Sequence, residues 1–306
     1  MNTKQLRNTL LLMGCSFIWG TAFVAQSVGG GYMGAYTFLA GRSWLACVFL
    51  LGLMGARRAN QRRKGVRVPF FLQRKTLAVG GLCCGTALFA ASVVQQMGIP
   101  GTTTAKAGFL TALYVVLVPV CGIFVGRRPD AKLCCCVAAS VAGLYLLCLA
   151  GHDTLSLSGS EWLLLLGALL FTGQILLVNH FSPKLDGIQL SFAQFFVVSV
   201  LSTVGMFLFE QPTAQQFRDA AVSILYCGIM SSGVAYTLQI EGQKDLDPTI
   251  ASLAMCLESV FSALAGWLIL HQTLTPTELT GCALMFAAIV ASQLPSKKRG
   301  ETAAQE

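Results

Sequence analysis

The amino-acid sequence predicts an all-α integral membrane protein with ten transmembrane helices, and three observations lead to that prediction. Only 11% of the 306 residues are charged and 55% are hydrophobic, whereas a soluble domain carries roughly 25% charged residues. Apolar runs of about 20 residues, the length that crosses a bilayer, recur from one end of the chain to the other. Basic residues collect in every second gap between these runs, as they do in cytoplasmic loops.

Charged residues, Gly and Pro separate the apolar runs and set the predicted ends of each span. The first five spans are expected near residues 8–28, 34–56, 76–98, 103–126 and 133–150. The second five are expected near residues 161–180, 188–209, 220–240, 249–271 and 277–294. The first run lacks a clear small-residue cleavage site before the next span, so we interpret it as a retained helix and not as a signal peptide.

The distribution of Lys and Arg predicts that both termini are cytoplasmic. With the N-terminus inside, 18 of the 21 Lys and Arg fall in cytoplasmic segments, Arg218 lies outside, and Arg42 and Lys106 lie within spans. The densest basic block, Arg57 to Lys75, contains no acidic residue and is expected to be a cytoplasmic loop. No folded module surrounds this block, so nucleic-acid binding is not expected. The predicted location is the plasma (inner) membrane.

The ten spans divide into two halves of five, which we expect to form an inverted repeat. An odd number of crossings returns the second half to the opposite side of the membrane, so the two halves must have opposite orientations. The spacing of Pro129 and Cys135 is repeated by Pro276 and Cys282. The predicted halves are residues 1–150 and residues 151–306, the second with a short basic C-terminal tail.

Four segments resemble a known transporter family. They are WGTAFVAQ from Trp19 to Gln26, FLAGRSWLA around Arg42, TTAKAGFLTALYVVLVPVCGIFVGRRP from Thr103 to Pro129, and ASLAMCLESVFSALAGWLILHQTLTPTELTGCALMFAAIVASQ from Ala251 to Gln293. Together they resemble the paired EamA-type domains of the drug/metabolite transporter superfamily, across essentially the whole chain.

The resemblance implies a central solute cavity lined mainly by the first, third, fourth, sixth, eighth and ninth spans. It also implies solute export or import as the activity. Many members of the family carry a Gly-Glu pair just after the fourth helix of each repeat. Here the corresponding positions are Gly126-Arg127 and His271-Gln272, so no role of that Glu can be transferred to this chain.

Glu258 is the principal candidate for a functional residue, because it is predicted to lie near the bilayer midplane. It stands about nine residues into the ninth span, roughly 13 Å deep. A charge there costs at least roughly 3 kcal/mol, so the side chain should bind a proton, pair with a cation or face a wet cavity. We expect it to bind solute or to couple transport. The alternative is a permanent ion pair with Arg42 or Lys106 that only maintains helix packing.

Other polar and aromatic side chains at membrane depth complete the predicted site. Arg42 and Lys106, the candidates for coupling or charge pairing, lie in the outer halves of their spans, where an anionic or zwitterionic solute would suit them. The alternative is that Lys106 extends to the outer interface and Arg42 bonds backbone carbonyls. The residues predicted to bind solute or line the cavity are Trp19, Gln26, Gln95, Gln96, Tyr114, Gln174, Tyr236 and Glu258.

These residues favour a secondary transporter that moves a small metabolite or drug-like solute by alternating access, with proton coupling left open. The sequence contains no Walker GxxxxGK[ST] motif for nucleotide hydrolysis. A lipid flippase or a non-transporting membrane sensor has the same span pattern and remains an alternative. An enzyme is disfavoured, because the sequence contains neither HExxH nor GxSxG.

The expected partners are a small-molecule solute and the lipid bilayer, and the choice between monomer and homodimer stays open. No cofactor or metal is expected. Most of the 12 cysteines lie inside apolar runs, where they act as small hydrophobic residues.

Overall fold

The computed structural model of the chain describes residues 3–65, 71–124, 130–148, 158–273 and 275–293, and within these ranges the fold is built from helices. The long helices are α1 (Thr3–Gly30), α2 (Ala35–Arg63), α3 (Arg74–Gly98), α4 (Thr104–Phe124), α5 (Ala131–Cys148), α6 (Gly159–Phe181), α7 (Gly187–Phe209), α8 (Ala221–Gln243), α9 (Pro248–Leu270) and α10 (Pro276–Gln293). A short helix, Ala214–Asp219, lies between α7 and α8.

Eight of the described helices, α1 to α4 and α6 to α9, are long and apolar enough to cross a membrane. The remaining two, α5 and α10, contain shorter apolar stretches, Ala131–Leu146 and Pro276–Ser292. Some sequence predictions concern residues outside the described ranges. These are the Gly126-Arg127 position, Pro129, the boundary at 150/151 and the basic tail with Lys297, Lys298 and Arg299.

Helices α2 and α7 pack side by side in opposite directions. The ring of Tyr36, at the start of α2, lies 5.4 Å from the ring of Phe209, the last residue of α7. At the other end, Arg57 Nη1 of α2 lies 2.7 Å from Asp186 Oδ2, just before α7 begins. The first residues of each helix therefore meet the last residues of the other.

The same antiparallel packing joins α4 to α9 and α5 to α10. Thr104 Oγ1, at the start of α4, donates to Gln272 Oε1 just beyond α9 at 2.9 Å. Late in α5, a Cβ added to Gly143 would lie 2.7 Å from the carbonyl oxygen of Gly281 early in α10. Elsewhere α1 packs on α8 and α9, as α6 packs on α3 and α4. The helices of the first five therefore correspond in order to those of the second five, α1 to α6 and so on to α10. Each of these contacts is repeated when every helix is replaced by its counterpart.

The distribution of polarity is that of a protein surrounded by lipid. Phe124, Val222 and Phe207 are 87%, 81% and 72% exposed, whereas Gln174 and Gln194 are fully buried. An outer surface of large apolar side chains suits hydrocarbon, and polar side chains at that depth belong in the protein interior. The chain is therefore a multi-pass membrane protein.

Glycines allow several helix pairs to approach closely. A Cβ added to Gly81 of α3 would contact Ala193 Cβ at 2.6 Å, and one added to Gly85 would lie 2.7 Å from the carbonyl oxygen of Gln194. Both neighbours belong to α7, so these two glycines, four residues apart, let α3 and α7 approach closely, as small residues at this spacing do in membrane helices. A Cβ added to Gly20 of α1 would overlap Phe261 Cβ and lie 2.8 Å from the carbonyl oxygen of Glu258 in α9.

Helix α8 widens along its middle. Between Ala221–Leu225 and Tyr236–Gln243, the segment Tyr226–Ala235 is π-helical. Within it, a Cβ added to Gly228 would lie 2.9 Å from the carbonyl oxygen of Arg42, so α8 touches α2 here. π-Helical turns occur often at functional sites, and this one precedes Tyr236.

Candidate functional site

Seven helices surround a buried cavity in the middle of the bundle. Its lining residues are Trp19, Phe23 and Gln26 of α1, Arg42 of α2, Gln95 of α3, Thr111 and Tyr114 of α4, Phe171, Gln174 and Ile175 of α6, Ser231, Tyr236 and Gln239 of α8, and Glu258 of α9. Its volume is about 30 Å³, and one water molecule needs roughly 10–15 Å³. In this conformation the cavity accommodates a few water molecules, so a larger solute requires it to widen.

The structure brings most of the predicted site residues together around this cavity. Two of the predicted residues, Gln96 and Lys106, do not line it. Sequence reasoning did not assign Phe23, Phe171 or Ile175 to the site, because apolar residues in an apolar span carry no signal of their own. The residues it placed here are Trp19, Gln26, Arg42, Gln95, Tyr114, Gln174, Tyr236 and Glu258.

Gln96 joins α3 to α1 instead. Its Nε2 donates to the backbone carbonyl of Gln26 at 3.1 Å, and its side chain is buried. The neighbouring residue, Gln95, points to the cavity and its Nε2 donates to Thr111 Oγ1 at 3.2 Å.

Lys106 forms an ion pair with Glu161 at 2.6 Å, which links the start of α4 to the start of α6. Glu161 also completes the N-terminal cap of α6, since its Oε2 accepts from the backbone N–H of Ser158 at 2.7 Å. The Glu161 side chain is buried and the Lys106 side chain is partly exposed. This pair therefore connects the two halves at one end of the bundle, away from Glu258.

Removing the Lys106 charge should lower stability, because it leaves a buried Glu161 carboxylate without its cation. We expect Lys106→Gln to lower the free energy of unfolding by about 1–2 kcal/mol, between the values for exposed and buried pairs. Lys244→Gln is the matched control, since Lys244 pairs at 2.8 Å with a more exposed carboxylate, Glu241. Thermal unfolding in detergent measures both. Equal losses from the two substitutions would contradict the assignment.

Glu258 is buried, and its carboxylate faces the cavity from α9. Neither predicted cation is its partner: Lys106 pairs with Glu161, and Arg42 Nη1 donates to Gln26 Oε1 at 3.1 Å. The hydroxyl of Tyr114 lies beside the carboxylate. Within the described residues, Glu258 Oε1 has no hydrogen-bond partner.

Arg42 is a second buried charged residue on the cavity wall. Besides its bond to Gln26, its guanidinium lies 6.0 Å from the ring centroid of Phe38 and next to Cys227. Its Nε has no hydrogen-bond partner in the described part of the chain. A buried guanidinium with one unused donor can bind an anionic group of a solute.

Two further contacts form part of the cavity wall. The amides of Gln174 and Gln239 exchange hydrogen bonds at 3.1 and 3.4 Å between α6 and α8. The rings of Trp19 and Tyr236 lie 4.7 Å apart, and Trp19 Nε1 has no partner among the described atoms. Among the described residues, Trp19 Nε1, Arg42 Nε and Glu258 Oε1 are thus buried polar atoms of the cavity wall that lack a hydrogen-bond partner, whereas others, such as the amide atoms of Gln194, lie elsewhere.

Helices α4 and α9 are both interrupted at the cavity. Helix α4 divides into Thr104–Ala112 and Tyr114–Phe124, and α9 divides into Pro248–Met255 and Glu258–Leu270. At each interruption one backbone N–H bonds three residues back instead of four: Val116 to Leu113 at 3.0 Å and Ser259 to Cys256 at 3.2 Å. Tyr114 and Glu258 each begin the segment after the break, and broken helices commonly form solute sites in transporters.

Comparisons with known proteins agree with this fold. The model of the EamA-like transporter family matches residues 7–149 and again residues 159–292. A relative from Archaeoglobus fulgidus, named an uncharacterized transporter, is 26% identical over 291 residues, which cover 94% of this chain and 86% of the relative. A solved structure described as "Crystal structure of protein" has a TM-score of 0.70 at 18% identity, covering 94% of this chain and 96% of that one. That likeness concerns the fold alone.

Proposed function

This chain belongs to the EamA-like transporter family of the drug/metabolite transporter superfamily, and we propose that it moves a small polar solute across the plasma (inner) membrane as a secondary transporter. The observation that carries the proposal is the buried cavity. There Trp19 Nε1, Arg42 Nε and Glu258 Oε1 have no hydrogen-bond partner among the described residues. Leaving buried polar groups unpaired costs roughly 1–3 kcal/mol each, a cost that water or a bound solute removes.

Alternating access is the proposed mechanism, by ten spans arranged as two inverted halves, residues 1–150 and 151–306. The antiparallel pairing of α2 with α7 supports this arrangement. The equivalent contacts that helices α1–α5 and helices α6–α10 make also support it. Halves related by an axis along the membrane normal would pair equivalent helices in parallel. Opposite tilting of the two halves opens the central cavity first to one side and then to the other.

The charged groups of the cavity support an anionic or zwitterionic solute. Arg42 offers a donor to an anionic group, and Glu258 lies on the same cavity without pairing with Arg42. Glu258 is also the proposed site of proton coupling. In a low-dielectric site, a carboxylate without a cationic partner is costly, and binding a proton removes that cost. Such a group can therefore take up and release a proton during the transport cycle.

Reconstitution into proteoliposomes tests the proposal. The probes are radiolabelled serine, adenosine and tetraphenylphosphonium, which represent a zwitterion, a neutral polar solute and a cation. We expect serine uptake above that of protein-free vesicles, and a change in its rate when a pH gradient is imposed. Flipping of a fluorescent lipid without uptake of any probe would favour the flippase alternative.

The proposed topology has both termini in the cytoplasm and predicts a pattern of chemical labelling. We expect Asn60→Cys, in the exposed end of α2, to be unreactive with an impermeant thiol reagent added to intact cells. Gln215→Cys, exposed in the short helix before α8, should react under the same conditions. Native cysteines are accounted for by comparison with the unsubstituted protein. The reverse labelling pattern would overturn this topology.

A further inference from the structure

Ser16 of α1 occupies a position that connects the first half of the chain to the break in α9. It is fully buried. Its Oγ lies 3.1 Å from the carbonyl oxygen of Ala254 and 3.1 Å from that of Met255, both in the last turn before the break. It also lies 2.9 Å from the carbonyl oxygen of Leu12 in its own helix. Ser16 does not line the cavity.

The break creates the need for such a donor. In a continuous α-helix the N–H of Ser259 would bond the carbonyl of Met255, but here it bonds the carbonyl of Cys256 at 3.2 Å. The Met255 carbonyl therefore loses its intrahelical donor at membrane depth. Backbone groups released by a break within a membrane must find other partners, among which Ser side chains are common. The Ser16 hydroxyl is in place to do this.

The carbonyls that Ser16 reaches lie immediately before the cavity acid. Met255 precedes Glu258 by three residues, and Glu258 is the first residue of the segment after the break. The contact between α1 and α9 is close here, since Gly20 lies against the carbonyl of Glu258. Any change in the angle of the break therefore moves the Glu258 carboxylate relative to Tyr114 and Trp19.

We propose that Ser16 is a positioning residue: it holds the α9 break through the carbonyls of Ala254 and Met255 and so keeps Glu258 directed into the cavity. The claim that Ser16 holds the break rests on geometry alone. The claim that transport depends on it rests on the proposed transport function. A serine hydroxyl has a single proton, so it donates either to α9 or back to Leu12 at any moment. Movement between the halves can exchange one acceptor for the other without leaving the hydroxyl unpaired.

Amide hydrogen exchange tests the structural part without any solute. In purified protein in lipid, we expect Ser16→Ala to speed exchange in the peptide spanning Ala251 to Ser259 by about three- to twentyfold, the range for one interhelical hydrogen bond in a membrane. Ser16→Thr, which keeps the hydroxyl, should restore the wild-type rate. The matched control is Ser202→Ala, because Ser202 is equally buried in α7 and, among the residues that the structure describes, bonds only carbonyls of its own helix, at 2.6 and 3.2 Å.

Uptake of radiolabelled serine by proteoliposomes tests the consequence. Ser16→Ala should lower uptake by a similar factor, Ser16→Thr should restore it, and Ser202→Ala should leave it unchanged. If Ser16→Ala does not fold, Ser16→Cys, a near-isosteric and weaker donor, takes its place in both assays. Wild-type exchange at the break in Ser16→Ala, or in the Cys substitute, would overturn the proposal. Absence of uptake by the wild-type protein would count against the proposed function instead, while the exchange measurement would still decide the role of Ser16.

Discussion

Glu258→Gln should abolish uptake driven by a pH gradient while leaving a folded protein in the membrane. Glutamine has nearly the same shape as glutamate but cannot take up or release a proton. Because Glu258 lacks an ion-pair partner in the described structure, the substitution removes a group that is costly to bury and leaves no cation unpaired. The fold should therefore be as stable as before, and the loss should appear in transport alone.

Serine uptake into proteoliposomes, with an inward or an outward pH gradient, measures this effect, and thermal unfolding confirms that the variant is folded. Glu161→Gln is the matched control, because Glu161 is equally buried but lies outside the cavity, paired with Lys106. That control should lose stability and keep its response to the gradient. Gradient-driven uptake at the wild-type rate in Glu258→Gln would refute the coupling role of Glu258.

Gly20→Ala should destabilise the protein, although alanine is ordinarily the better helix former. The new methyl group would overlap Phe261 Cβ and lie 2.8 Å from the carbonyl oxygen of Glu258, so α1 and α9 must separate at the cavity. Forcing a methyl group into a packed interface costs about 1–3 kcal/mol. The same separation would draw Ser16 away from the carbonyls of Ala254 and Met255, so transport should fall as well.

Gly52→Ala provides a control that should change stability in the opposite direction. Gly52 lies in α2, is exposed, and has no atom within 4 Å of an added Cβ. Without a clash, the substitution should stabilise the helix by up to about 1 kcal/mol. Thermal unfolding of both variants under one set of detergent conditions measures the difference. An unchanged or raised unfolding temperature for Gly20→Ala would contradict this prediction, because it would show that α1 and α9 accommodate the methyl group without loss of stability.

Some of this architecture could be predicted from amino-acid order, because lipid places a strong and local demand on sequence. Every backbone polar group within the bilayer needs an internal partner, so each span appears as an apolar run of recognisable length. The eight longest helices overlap the predicted spans, although α1 begins at Thr3 and α2 continues to Arg63, into the basic block that was predicted to be a loop. The family resemblance is confirmed. An isolated acid such as Glu258 stands out for the same reason, since an ionisable group within an apolar run is costly and therefore rare.

The amino-acid pattern within a single span did not indicate which residues its polar side chains would contact. Gln95 and Gln96 are adjacent and chemically identical, yet one faces the cavity and the other bonds the backbone of Gln26, because successive residues of a helix point about 100° apart. Lys106 was expected near Glu258 or at the interface, and its actual partner, Glu161, lies 55 residues along the chain in the other half.

Amino-acid order was thus sufficient for the membrane environment, the approximate spans and the acid within them, since each depends on the free energy of transferring one segment from water to lipid. Only the folded chain decided which polar side chains share the cavity, where α4 and α9 break, and that Ser16 lies against the break before Glu258. Those features depend on contacts between segments distant in sequence, and periodicity within a single helix does not encode them.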